Sequence, residues 1–119
     1  LGAASVAAIE LDPDAIGNAE ENVRRNGVAD RVTVIEGDAA SLLPLVAPVR
    51  VITANIISSV LLELLPVLAA SLADDGRVIL SGILLMERDE MVRAVTAAGW
   101  RVEAEDQEDA WWSTTIARR

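Results

Sequence analysis

Three polar residues stand directly after apolar runs of the kind that form buried strands. Glu10 follows Val6-Ala7-Ala8-Ile9 and precedes Leu11-Asp12-Pro13. Asp38 follows Val34-Ile35-Glu36-Gly37, and Asn55 follows Val51-Ile52-Thr53-Ala54. Open parallel sheets bind ligands outside the carboxyl ends of their strands. All three residues are therefore predicted at one edge of such a sheet. A carboxylate at Glu10 can accept from two vicinal ribose hydroxyls, one per oxygen; the plainer alternative is a solvated acid. Asp38 can accept from an adenine amine, with Gly37 letting the backbone pass close to a flat ligand. It can equally cap the helical turn at residues 39–43. The Asn55 side-chain carbonyl can orient an amine acceptor, although local propensity favours a turn asparagine. Ser81-Gly82-Ile83 reads as a tight strand exit, structural before functional.

Composition removes much other chemistry. The 119 residues contain no His, Cys, Tyr or Phe, and all ten cations are Arg. That excludes an ordinary zinc site, a Ser-His-Asp triad, a thiol nucleophile, a lysine Schiff base and a disulfide. Nineteen acids give a formal charge of -9, which disfavours non-specific nucleic-acid binding and suits a basic partner, or mere solubility. No apolar run approaches the roughly 20 residues of a membrane helix, and no signal-peptide pattern is present. A cytoplasmic protein is the expectation.

The elements that must position these residues alternate between strand and helix, the pattern of an α/β domain with a largely parallel sheet. Strands are predicted at residues 5–11, 32–36, 50–54 and 77–81. The first reads as covered on both faces. A helix is predicted from Pro13 to about Asn26, capped by Asp12 and closed by Gly27 with Val28 as its apolar follower. Glu20 and Glu21 precede Arg24 and Arg25 by four residues, the favourable order for helix pairs. Pro44 and Pro48 punctuate a loop. A second long helix spans residues 58–72, with Pro66 expected to kink or split it. Asp74-Asp75-Gly76 reads as a turn, and a third long helix spans 87–98. Two strands, 100–105 and 111–117, close the pattern as an antiparallel hairpin with the acidic segment Asp106 to Asp109 as its solvated connection. Trp111 and Trp112 should face opposite sides of their strand.

In order, Ala8-Ile9-Glu10-Leu11-Asp12-Pro13, Glu36-Gly37-Asp38, Ala54-Asn55-Ile56-Ile57, Asp75-Gly76 and Leu80-Ser81-Gly82-Ile83-Leu84 resemble class I methyltransferases. As a set they look like the ribosomal protein L11 methyltransferase family (PrmA). Trp112 with Ala117-Arg118-Arg119 is similar to that family's ending. Glu10 departs from its usual Asp but still offers two oxygens.

The resemblance implies a Rossmann-like class I methyltransferase sheet with a terminal antiparallel hairpin, lacking its first, central strand. It covers residues 1–119 as one partial domain. Leu1, inside an apolar stretch, reads as a point after a missing glycine-rich loop and a missing substrate-recognition domain. Such a piece is expected to be inactive alone and to leave Val6, Ala8, Val51 and Thr53, or their neighbours, uncovered. The implied activity is transfer of methyl from S-adenosylmethionine to lysine side chains and the N-terminal amine of ribosomal protein L11, by a parent enzyme expected to be monomeric. By the same resemblance, Glu10 holds the ribose, Asp38 the adenine amine, and Leu11 and Ala39 flank the adenine ring. Asn55, at the junction of cofactor and acceptor, orients the amine together with the backbone carbonyl of Ile56. The alternatives are a class I methyltransferase of RNA or a small molecule, a dinucleotide-dependent oxidoreductase using Glu10, and a non-catalytic scaffold. Asn55-Ile56-Ile57 in place of Asn-Pro-Pro-Tyr argues against a nucleobase amine, and the oxidoreductase explains neither Asn55 nor the hairpin.

Overall fold

The computed structural model describes residues 2–119. The chain divides into two compact units, one running up to Val46 and the other Ala47–Arg119.

The first unit holds strands β1 (Val6–Glu10) and β2 (Val32–Glu36) and helices α1 (Pro13–Arg25) and α2 (Ala39–Val46). The two strands pair in parallel, Val6 with Val32 through to Glu10 with Glu36. Asp12 caps α1 by accepting from the Asp14 N–H at 2.9 Å, with Pro13 opening the helix. At the other end the Gly27 N–H donates to Arg24 C=O and the Val28 N–H to Val23 C=O. That is the paired reverse bonding of a Schellman ending, which needs the left-handed φ of +66° found at Gly27. Glu21 and Arg25 pair at 2.9 Å. Two expectations are corrected. β1 is not covered on both faces: Val6 is 40% exposed and Ala8 to Glu10 are half-buried. Pro44 lies inside α2 rather than in a loop, because the adjacent Leu43 is buried and anchors that turn.

The second unit holds β3 (Val49–Asn55), α3 (Ser58–Ser71), β4 (Leu72–Leu84), a single 3₁₀ turn (Leu85–Glu87), α4 (Arg88–Ala97), β5 (Trp100–Glu108) and β6 (Trp111–Arg118). Its sheet order is β3-β4-β6-β5. β3 and β4 run parallel, while β6 is antiparallel to both β4 and β5. The core comprises Leu61, Leu64, Leu65 and Leu68 of α3, Val78, Leu80 and Ile83 of β4, Met91 and Val95 of α4, and Trp100, Trp112 and Ile116 of the hairpin.

That core explains three departures from the predicted elements. Pro66 sits inside one unbroken α3, since buried leucines before and after it hold the helix by packing rather than propensity. Asp74-Asp75-Gly76 is not a turn ahead of the strand. It is a bulge within β4, where the register jumps from Val49–Leu72 to Val51–Arg77. Arg118 stabilises this junction by donating to the carbonyls of Ala69 and Leu72, both at 2.9 Å. The acidic run is strand, not loop: β5 stays paired through Glu108, and the turn is Asp109-Ala110 with φ +53° at Asp109. Arginines neutralise the acids just before it. Arg77 and Arg101 bind Glu103, and Arg88 binds both oxygens of Glu105, at 2.6 and 3.1 Å. Trp111 is 55% exposed while Trp112 is 3% exposed, as strand alternation requires. Among the described residues no helix is long and apolar enough to cross a membrane.

Candidate active site

In the first unit the ends of β1 and β2 build one edge. Glu10 is the last residue of β1, and its C=O accepts from the Gly37 N–H at 2.9 Å. Gly37 is held at φ +152°, where a Cβ would also come 2.6 Å from Leu42. A side chain there would therefore disturb the crossing between the two strand ends. Glu10 Oε1 accepts from the Asp12 N–H at 3.1 Å. Its Oε2 has no hydrogen-bond partner among the described residues. Leu11 stands beside it, 69% exposed. Asp38, two residues past β2, realises the capping alternative: Oδ1 accepts from the Ala40 N–H and Oδ2 from the Ser41 hydroxyl, both at 3.3 Å. A carboxylate has about four acceptor positions, so this cap leaves capacity for a further donor. Ala39, half-buried, opens α2 beside it. Glu10 and Asp38 thus share the carboxyl end of one parallel pair.

In the second unit Asn55 is the last residue of β3 and pairs with Ser81. The neighbouring Gly82 has φ +77° and no room for a side chain. A Cβ there would lie 2.5 Å from Asn55 Oδ1 and 3.2 Å from both the N and O of Ile56. The bare glycine is what lets the Asn55 amide and the Ile56 peptide rest against β4. Sequence reading gave Gly82 only a tight exit. No local signal marked the contact, since Asn55 comes beside Ser81 only through the parallel register of β3 and β4.

Asn55, Ser81 and Gly82 face a cavity of about 480 Å³ whose other wall is the β5–β6 hairpin, with Asp106, Glu108 and Trp111 among its lining. Reading the acidic segment as a solvated connection did not foresee this placement. Arg88 holds the Glu105 carboxyl below its ordinary value by hydrogen bonding, against the opposing effect of burial. Glu105 in turn accepts from the Trp112 indole N–H at 3.1 Å and fixes that side of the cavity. Asp106 and Glu108 have no arginine partner among the described residues. The arrangement can receive an N–H donor at Asn55, in a cavity whose charged lining is Asp106 and Glu108, with the Ile56 peptide next to it at Gly82.

The ribosomal protein L11 methyltransferase (PrmA) family model matches residues 1–119. Ribosomal protein L11 methyltransferases of Heliobacterium modesticaldum and Xylella fastidiosa are each 40% identical over the whole chain. The chain spans 37% of the length of each. The crystal structure of ribosomal protein L11 methylase from Lactobacillus delbrueckii subsp. bulgaricus superposes with a TM-score of 0.88 at 29% identity, covering 99% of this chain and 60% of that one. Mitomycin 7-O-methyltransferase superposes at 0.76 with 17% identity over 95% of this chain and 41% of its own, a likeness of fold alone. The fold is the Rossmann-like α/β fold of class I methyltransferases, with a mixed sheet and antiparallel C-terminal strands. From strand ends to terminal hairpin, the chain belongs to the ribosomal protein L11 methyltransferase (PrmA) family.

Proposed function

We propose that the protein of which these residues are part transfers methyl groups from S-adenosylmethionine to amines of ribosomal protein L11, its lysine side chains and N-terminal amine, in the cytoplasm. The observation that carries this reading is the Asn55–Ile56 segment. It is seated on Gly82 at a strand's carboxyl end, and its Asn55 lines a cavity shared with Asp106 and Glu108, in a chain of this family.

The residues present fit the cofactor. Glu10 has one oxygen that also accepts from its own turn and one without a partner among the described residues, which leaves an acceptor position on each for a ribose hydroxyl. Leu11 offers an exposed apolar face to a ring, and Ala39 a small one. Asp38 retains acceptor capacity beyond its cap for the adenine amine. When bound, S-adenosylmethionine supplies a methyl group already activated on a sulfonium. The chain's task is then alignment of the acceptor with that methyl group. Asn55 Oδ1 and the Ile56 carbonyl accept the N–H groups of an uncharged amine and so aim its lone pair. The carboxylates of Asp106 and Glu108 favour the approach of a basic protein segment and oppose a phosphate backbone.

The test uses the full-length protein. Glu10→Ala should weaken cofactor binding about tenfold or more in calorimetry, the scale of one charge-assisted hydrogen bond at ~1.5–3 kcal/mol. A change below about threefold removes Glu10 as the ribose anchor. Asn55→Ala should abolish most turnover on the ribosomal protein with cofactor affinity nearly intact. Equal loss of cofactor binding would move Asn55 to the cofactor side alone.

A further inference from the structure

Glu87 lies outside every role described so far. It ends the 3₁₀ turn after β4 and is half-buried. Its two carboxylate oxygens point to different parts of the chain. Oε2 accepts from the Ser58 hydroxyl at 2.6 Å. Oε1 accepts from the Leu84 N–H at 3.2 Å. Ser58 is the first residue of α3 and follows Asn55-Ile56-Ile57 directly. Leu84 ends β4, two residues past Gly82. One carboxylate therefore ties the far end of the Asn55–Ile57 segment to the far end of the Gly82–Leu84 segment. These are the same two segments that touch where Gly82 meets Asn55 and Ile56.

Local geometry alone does not demand this bridge. The reach back to Leu84 N–H is what a residue in the first turn of a helix does for its own start. The bond to Ser58 is different, since it spans 29 residues and satisfies no group of the 3₁₀ turn. Nor does α3 supply a substitute. Its capping position is Ile57, which has no side-chain cap, so the loop leading into the helix lacks the usual local restraint. Ile57 itself is 64% exposed, so its side chain adds little packing to hold the loop.

We propose that Glu87 is a positioning residue: it clamps the Ile56–Ser58 loop to the exit of β4 and so fixes the Asn55 amide and the Ile56 carbonyl against Gly82. This rests on the reading of Asn55 and Ile56 as the amine-orienting pair. A hydrogen-bonding site that slackens by about 1 Å loses up to ~100-fold in rate, so the clamp acts on turnover and leaves the cofactor side of the site alone.

The experiment compares Glu87→Ala, Glu87→Gln and Ser58→Ala in the full-length protein, measuring cofactor affinity by calorimetry and turnover on the ribosomal protein. Glu87→Ala should lower kcat roughly tenfold to 100-fold with cofactor affinity changed less than about twofold. Glu87→Gln should recover most of the rate, because its carbonyl still accepts from Leu84 N–H and its amide can donate to the Ser58 oxygen. Ser58→Ala removes one hydroxyl at a helix start, where folding is not at stake, and should show the same split more weakly. Combining it with Glu87→Ala should add nothing to the loss. The clamp is refuted if Glu87→Ala leaves kcat unchanged, if Gln is as poor as Ala, or if the two losses add. It is also refuted if cofactor affinity falls in step with rate. A wild-type protein that methylates no amine overturns the functional reading and the clamp with it, whereas an active wild type with indifferent variants overturns the clamp alone.

Discussion

A single hydrogen atom decides where the Asn55 amide rests. Gly82→Ala places a methyl group 2.5 Å from Asn55 Oδ1 at a backbone φ of +77°. Both the contact and the left-handed backbone oppose it, the latter by ~1–2 kcal/mol. Either Asn55 swings away or β4 bends. The expected outcome is turnover down about tenfold or more with cofactor affinity unchanged, read by steady-state kinetics beside calorimetry. Unchanged kinetics would mean that Asn55 keeps its place without the glycine. The candidates themselves were legible in the sequence, because a polar residue closing an apolar run marks a strand end whatever surrounds it. Asp38 was legible as a cap, and its capping bonds are formed. The Gly82–Asn55 contact was not legible. It depends on β3 and β4 lying parallel and level, a non-local register that no stretch of sequence encodes by itself.

At the level of elements, the tie between α4 and β5 runs through Arg88 and Glu105 and carries a pH dependence. Glu105 is held below its ordinary 4.5, first by the hydrogen bond from Arg88. A carboxyl depressed by folding contributes stability that is present above its unfolded value and lost as pH falls through the folded value. Glu103, depressed first by its bond from Arg101, acts in the same direction. Glu105 is about one-third exposed, so solvent screening keeps its share modest. Denaturation midpoints should decline as pH falls through and below the ordinary carboxylate value of 4.5, and Glu105→Gln should remove part of that decline. A variant with the wild-type slope would show that other carboxyls carry it. Element legibility followed locality here. α1 could be read from cap to Schellman ending because Asp12-Pro13 and Gly27-Val28 are local signals. The strand character of residues 106–108 could not, because an acidic stretch looks solvated until the non-local pairing of Asp106 with Ser113, Gln107 with Trp112 and Glu108 with Trp111 is made.

Across the whole molecule, burial is unevenly shared. Among the described residues every buried apolar side chain except Leu43 belongs to the second unit. Local opening free energy follows buried apolar contact. In native-state hydrogen exchange on this chain, amides of β1, α1 and β2 should therefore exchange well before those of β4 and β6. Matching protection in both units would show that the first is held by something other than its own core. The order β3-β4-β6-β5 also has a meaning in time. A ribosome delivers β5 before β6, yet β6 is the strand that must lie between β4 and β5. Until Trp111–Arg118 emerges, one edge of β4 waits unclaimed, and the carbonyls of Ala69 and Leu72 wait for Arg118. The nascent β5 is the nearest wrong partner for that edge. Its carboxylates make it a poor one, since charge along an edge strand discourages mispairing. The acidity that makes this strand resemble a loop also keeps a place open, during synthesis, for the strand that follows it.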